Sequence, residues 1–235
     1  MSRTSRLDLP NVTLIAVDTF HPDRTLAAMK GSLMWVTFAA ATLVCLPSFK
    51  PDKGWWLRKG FGEVRPWFTP TGPERAKREA FIIQQLYKCF QTSHCLNMEW
   101  DSGVANPAAW DDSWLQYDYI GAPWPWDYTE AGLPPCTKDS CVGNLGFSLI
   151  SRRFLEILAS IANPTIQELA LSDVYICRTM RPKLEAAGLR FAPEAVAERF
   201  SCENRIYCGQ FGWHGEFTAA KNGWKFPEIT AHTPS

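Results

Sequence analysis

A strand, helix, strand opening constrains this chain more than any later feature. Val12 to Val17 is a short β-branched apolar run that ends in Asp18 and Thr19, which reads as a buried strand delivering polar groups at its carboxyl end. His21 to Met29 has helical spacing, and Val36 to Leu46 is a second apolar run of strand length. Two strands joined through a helix pair in parallel, and a parallel sheet places its ligands beyond the carboxyl ends of its strands. The class expected is therefore α/β, a mostly parallel sheet flanked by helices. At 235 residues one domain suffices, taken as residues 9–220 between a loosely held start at 1–8 and a tail at 221–235.

The apolar stretch from Leu33 to Leu46 is too short for a membrane span of about 20 residues, and Thr37 and Thr42 interrupt it. It reads as a buried helix end passing into a core strand. Met1 to Pro10 has no apolar segment of the secretory kind, so a cytoplasmic protein without a transmembrane segment is expected. Eight cysteines in that setting read as buried free thiols, and the pairs Cys89/Cys95, Cys136/Cys141 and Cys202/Cys208 match no zinc spacing.

Further along, Lys50 to Gly72 is rich in Pro, Gly and Trp and reads as an ordered loop. Thr71 and Glu74 have capping-box spacing ahead of a helix from Pro73 to Phe90, and Ser93 to Trp100 is strand-like. Asn106 to Pro135 is loop-rich. Phe147 to Ile150 is a strand, Ser151 to Ala162 a helix, and Asp173 to Ala187 a helix interrupted at Pro182 and closed by Gly188.

Charge narrows the function. Lys plus Arg and Asp plus Glu both number 24, so no overall field points to nucleic acid. Between Glu99 and Asp139, however, eight acids (Glu99, Asp101, Asp111, Asp112, Asp118, Asp127, Glu130, Asp139) face the single base Lys138. Such a stretch repels a polyanion and accepts a divalent cation or a neutral polyol. Five of the eleven tryptophans, Trp100, Trp110, Trp114, Trp124 and Trp126, lie in it, and flat apolar rings beside carboxylates suit sugars. Core packing is the competing use of those rings.

Four groupings carry chemistry. Glu99-Trp100-Asp101 sits at a predicted strand end, where alternate residues share a face, and two carboxylates aimed at one point suit Mn²⁺ or Mg²⁺. Val142-Gly143-Asn144-Leu145-Gly146-Phe147-Ser148 has two glycines where backbone comes close to something. Ser172-Asp173 opens a helix, with Ser172 a natural N-cap and Asp173 in the first-turn dipole, which favours the charged carboxylate. In Phe211-Gly212-Trp213-His214-Gly215 a histidine stands between glycines, a poor setting for a packed core residue.

These residues, together with Tyr117-Asp118-Tyr119-Ile120-Gly121-Ala122-Pro123-Trp124, Asp173-Val174-Tyr175-Ile176-Cys177-Arg178 and Arg190-Phe191-Ala192-Pro193-Glu194, resemble the family known as domain of unknown function 5672. The resemblance runs from about Leu9 to Phe217 in the family's order. That family is regarded as glycosyltransferase-like, with the single-domain GT-A-like fold of nucleotide-sugar transferases. It implies a nucleotide-sugar donor, a metal or donor contact at the strand-end acid, a base at the acid after the glycine loop, and a glycan or other hydroxyl acceptor. The chain departs from the pattern in having Glu99 for Gln, Ser102 for Gly, Leu145 for Gly and Ser172 for an acid.

The expected arrangement is then a hexosyltransferase-type enzyme in which Val17, Asp18 and Thr19 contact the nucleotide and Asp101, Glu99 and His214 hold the ion. Asp173 acts as base, in preference to Asp118 or Glu203, and Trp124, Trp126, Gly143, Asn144 and Phe147 line the sugar and acceptor cleft. Asp118, between Tyr117 and Tyr119, reads as part of a structural wall. A non-catalytic carbohydrate-binding protein on the same fold is the alternative, kept open by Ser172 and Leu145, and a hydrolase using Asp101 and Asp173 is a weaker one.

Overall fold

The computed structural model describes residues 6–46, 49, 63–66, 74–125 and 136–224. Strand β1 (Leu7–Val17) starts five residues before the β-branched run, because Pro10 and Asn11 fall in a register irregularity between Leu9 and Thr13. Pro is tolerated in a strand at such a break. Helix α1 (Pro22–Trp35) follows, with Pro22 in its first turn, and runs directly into β2 (Val36–Cys45). The Leu33 to Leu46 stretch is thus a helix end and a strand, and no helix among the described residues is long and apolar enough to cross a membrane.

β3 (Glu63–Pro66) lies within the segment expected to be loop; the rest of that segment, like Thr71 and Pro73 of the expected capping box, lies outside the described residues. Helix α2 (Glu74–Gln85) passes into a 3-10 turn at Leu86–Cys89 and then β4 (His94–Met98) and β5 (Ser102–Val104). The acidic, tryptophan-rich stretch forms two 3-10 turns, Pro107–Ala109 and Asp112–Gln116, before β6 (Tyr119–Ile120). β7 (Phe147–Ser151) leads into α3 (Arg152–Ile161), whose N-cap Ser151 accepts from the Phe154 amide at 3.0 Å.

Short helices follow: α4 (Ile166–Leu169), α5 (Ser172–Val174), a π-turn at Tyr175–Thr179 and α6 (Arg181–Ala186). Pro182 stands in the first turn of α6, which explains the interruption, and Gly188 closes it at φ 81°. α7 (Glu194–Phe200), β8 (Ser201–Glu203), β9 (Gly212–His214) and α8 (Glu216–Lys221) complete the described chain.

The larger sheet has the order β3-β2-β1-β4-β7-β6, with β3, β2, β1 and β4 parallel and β7 antiparallel to β4. It is an α/β fold with a mostly parallel sheet. A smaller sheet, β5-β9-β8, pairs β5 antiparallel and β8 parallel to β9. Trp114, Phe147, Phe200 and Phe211 form a buried aromatic cluster with ring centroids 5.3–6.0 Å apart. Trp114 is thus core, and so is Phe147, which was expected in the cleft: its ring packs so closely on Gly212 that a Cβ there would sit 2.1 Å from it. The described cysteines are all free, and Cys208 alone is exposed.

Candidate functional site

Ile15 of β1 is level with Asn97 of β4, so the carboxyl ends of these parallel strands open together at Val17 and Glu99. Glu99, Trp100 and Asp101 are not on a strand. They form a turn between β4 and β5, because Ser102 folds back: its hydroxyl donates to the Glu99 carbonyl at 2.8 Å and accepts from the Glu99 amide at 3.0 Å. A serine at 102 makes this closure, which a glycine could not. The turn, rather than strand alternation, aims both carboxylates at one place.

His214 arrives from the smaller sheet. Ser102, His214 and Glu203 are register partners across β5, β9 and β8, and the Gly215 amide donates to the Asp101 carbonyl at 2.9 Å. The imidazole Nε2 faces Asp101 Oδ1 at 3.5 Å and Glu99 Oε2 at 3.7 Å, while Nδ1 lies 3.0 Å from Glu203 Oε1. One ligand atom each from Glu99, Asp101 and His214 falls within 4.8 Å of the others. Asp101 Oδ1 is buried and has no hydrogen-bond partner. Two carboxylate oxygens and an imidazole nitrogen with such an orphaned acceptor fit a divalent cation of the Mn²⁺ or Mg²⁺ class.

The glycine loop explains how the histidine fits. A Cβ at Gly146 would lie 2.1 Å from His214 Nε2, and one at Gly143 would lie 2.0 Å from the Trp124 ring. The close approach foreseen at these glycines is made by the protein's own rings. Trp124 has the Arg178 guanidinium 4.7 Å from its ring centroid, so it is partly covered; Trp126 lies outside the described residues.

A cleft of about 140 Å³ joins the groups: Arg75, Arg78, Glu79, Glu99, Asn144, Leu145, Gly146, Ser172, Asp173, Glu203 and His214 border it. Asp173 therefore shares the cleft with Glu99 and His214. It differs from expectation in charge: α5 is three residues long and offers little dipole, and burial pushes the carboxyl up, opposed by the Val174 amide and reinforced by Glu203 and Glu99. Ser172 is not the N-cap. Leu171 holds that position, and the Ser172 hydroxyl donates to Glu79 Oε2 at 2.6 Å.

Arg78 and Glu79 were not foreseen. Arg78 donates to Glu99 Oε1 and lies 3.7 Å from Glu79, and with Arg75 they occupy one face of α2 at i, i+3 and i+4. That spacing was visible in the sequence, but nothing there said which face met the cleft. Burial would raise the Glu99 carboxyl; the Arg78 charge and bond, with His214, outweigh it and hold Glu99 far below the usual carboxylate range. Burial likewise would lower His214, yet the carboxylates of Asp101, Glu203 and Glu99 hold it well above an ordinary imidazole.

The remaining expected contacts divide. Val17 is core, and Asp18 is consumed internally: Oδ1 accepts from the Phe20 and His21 amides at 2.7 and 2.8 Å and Oδ2 from the Thr25 hydroxyl. The Asp18 carboxylate is thus the clamp of the β1–α1 turn, not a free nucleotide ligand. Thr19 Oγ1 next to it is buried without a partner. Asn144, at φ 65°, borders the cleft with its Nδ2 2.8 Å from His214 Nδ1. Asp118 is structural, accepting from the Ser151 hydroxyl at 2.6 Å and the Arg190 amide at 2.8 Å.

No curated protein matches the chain. Among solved structures, a galactosyltransferase in complex with donor and acceptor sugar analogues aligns at 12% identity over 86% of each chain with a TM-score of 0.49. A glycosyltransferase involved in glycosylation of the major capsid of PBCV-1 aligns at 17% identity over 86% of this chain and 92% of its own, at 0.45. Both are too distant to carry an argument about this chain. The family model described as protein of unknown function (DUF5672) matches residues 73–215, more than half of the chain and all of the span from α2 to His214, and the protein belongs to that family.

Proposed function

We propose that the protein is a metal-dependent, inverting glycosyltransferase of GT-A-like fold that moves a sugar from a nucleotide-sugar donor to a hydroxyl acceptor. The observation that carries this reading is the convergence of Glu99, Asp101 and His214 at the carboxyl end of a parallel sheet, with Asp101 Oδ1 lacking a hydrogen-bond partner and Asp173 in the cleft that Glu99 and His214 border. A divalent cation held by these three groups would supply Lewis-acid neutralisation of charge on a leaving diphosphate. Arg75 adds a positive side chain at the cleft edge, and Arg78 keeps Glu99 ionised and aimed. Thr19 offers a buried hydroxyl at the neighbouring strand end.

Asp173 is the base in this reading. It takes the proton from the acceptor hydroxyl as that oxygen attacks the anomeric carbon, and inversion follows because no protein nucleophile intervenes. A carboxyl raised by burial suits the task better than an ordinary one, since a base is most effective when its pKa approaches the working pH. Hydrolysis by an Asp101 and Asp173 pair would leave the Glu99 and His214 contacts without a use. The reading is tested by a thermal-shift panel of nucleotide sugars with and without Mn²⁺, followed by assay of donor hydrolysis. A donor at about 100 times its dissociation constant adds roughly 2.7 kcal/mol. No Mn²⁺-dependent shift with any donor would overturn the reading, and a shift without turnover would leave a carbohydrate-binding protein.

A further inference from the structure

We infer that Glu203 is a positioning residue, which sets the tautomer and orientation of His214 so that Nε2 presents its lone pair to the space shared with Glu99 and Asp101. This rests on the metal reading above. Two restraints fix the ring and a third opposes them. Its plane lies against the Gly146 backbone, so closely that no side chain fits between. The parallel register of Glu203 with His214 on adjacent strands places the carboxylate beside it, with Oε1 3.0 Å from Nδ1. Nε2 is then the nitrogen left facing the two acids.

The third restraint competes with the second. Asn144 Oδ1 accepts from the Phe147 amide at 3.2 Å, which turns its Nδ2 toward the same Nδ1 at 2.8 Å. An amide N–H needs a lone pair on Nδ1, and the proton then resides on Nε2, where it blocks a cation. A carboxylate needs the proton on Nδ1, which frees Nε2. With the ring neutral, Glu203 and Asn144 favour opposite tautomers, and Glu203 favours the one able to bind a metal, against the pull of Asp101 and Glu99 on an Nε2 proton. Carboxylate partners on the far nitrogen of ligating histidines raise ligand basicity in this way, and their loss typically costs 10–100-fold in metal affinity. Glu203 is also held from its other side: β8 ends at Asn204, φ 54°, whose amide donates to Thr218 Oγ1 at 2.7 Å, so the strand cannot slide.

The test uses the full chain and Mn²⁺ alone, by titration calorimetry, with His214 ¹⁵N shifts recorded on the metal-free protein at a pH where the ring is neutral. Glu203→Ala should weaken Mn²⁺ binding about 10–100-fold and move the proton signal from Nδ1 toward Nε2. Glu203→Gln, which keeps an acceptor oxygen, should recover most of the affinity and the parent tautomer. It also serves if the alanine variant fails to fold. Should Glu203→Ala fold and bind Mn²⁺ within twofold of the parent while His214→Ala loses it, the positioning role is overturned and the metal site stands. If the parent itself takes up no Mn²⁺, both readings fall together.

Discussion

Gly146→Ala tests the packing of His214 without any knowledge of substrate. The added methyl would lie 2.1 Å from Nε2, 2.4 Å from Cδ2 and 2.6 Å from Cε1, about 1.3 Å inside a contact distance near 3.4 Å. Gly146 has no positive φ, so the substitution introduces crowding and not backbone strain. The ring cannot easily yield, being tied to Glu203 at Nδ1 and carried on the central strand of the smaller sheet. Overpacking of this kind costs about 1–3 kcal/mol, and for a chain of this size each kcal/mol lowers the melting temperature by about 2–4 °C. Urea or thermal unfolding reads it directly. The sharper measurement is a double-mutant cycle with His214→Ala, because removing the ring removes the clash: the double variant should be clearly more stable than the sum of the singles requires. Gly31→Ala, in α1 with nothing within 4 Å, is the control and should stabilise by roughly 0.5–1 kcal/mol. Additive single effects at Gly146 and His214 would refute the packing argument.

Three further outcomes follow from the site. Asp173→Asn should leave donor binding within a few fold and lower turnover by about 10²–10⁴, the range of a positioned base; near-normal turnover removes Asp173 from the chemistry. Asp101→Asn should weaken nucleotide-sugar binding far more in Mn²⁺ than in EDTA, and equal loss in both media would show that it does not act through a metal. Because Glu99 is held below its unfolded value, its contribution to stability is fully present above about pH 4.3 and fades as pH falls through the folded value. The stability difference between the parent and Glu99→Gln should therefore be constant from pH 7 to about 5 and shrink below 4; a constant difference down to pH 2 would contradict the pairing with Arg78.

The sequence carried the frame well and the side-chain roles unevenly. Periodicity located β2, α3 and the break at Pro182, because apolar spacing and proline act locally. It placed the Glu99 and Asp101 carboxylates together for a mistaken reason, since the hydroxyl of Ser102 and not strand alternation turns them. Asp18 and Phe147 stood beside the right elements, but a carboxylate folded back on its own turn and a ring facing Gly212 are decided by contacts that no local pattern encodes. Arg78 carries no signal of this role in the sequence, and Glu203 reads there only as a rival base, for the same reason: one is about 20 residues before the acidic turn and the other about 100 after it, and only tertiary pairing brings them to it.

The ladder that joins Ser102, His214 and Glu203 also orders events in time. The acids at 99 and 101 leave the ribosome some 110 residues before the histidine that completes the set, and during that interval Arg78 is already available to neutralise Glu99. Closing a loop of that length is a slow, non-local step in folding. Uptake of a cation at this place would thus report on a finished chain, and a nascent one truncated before β9 would expose carboxylates with no histidine to complete them.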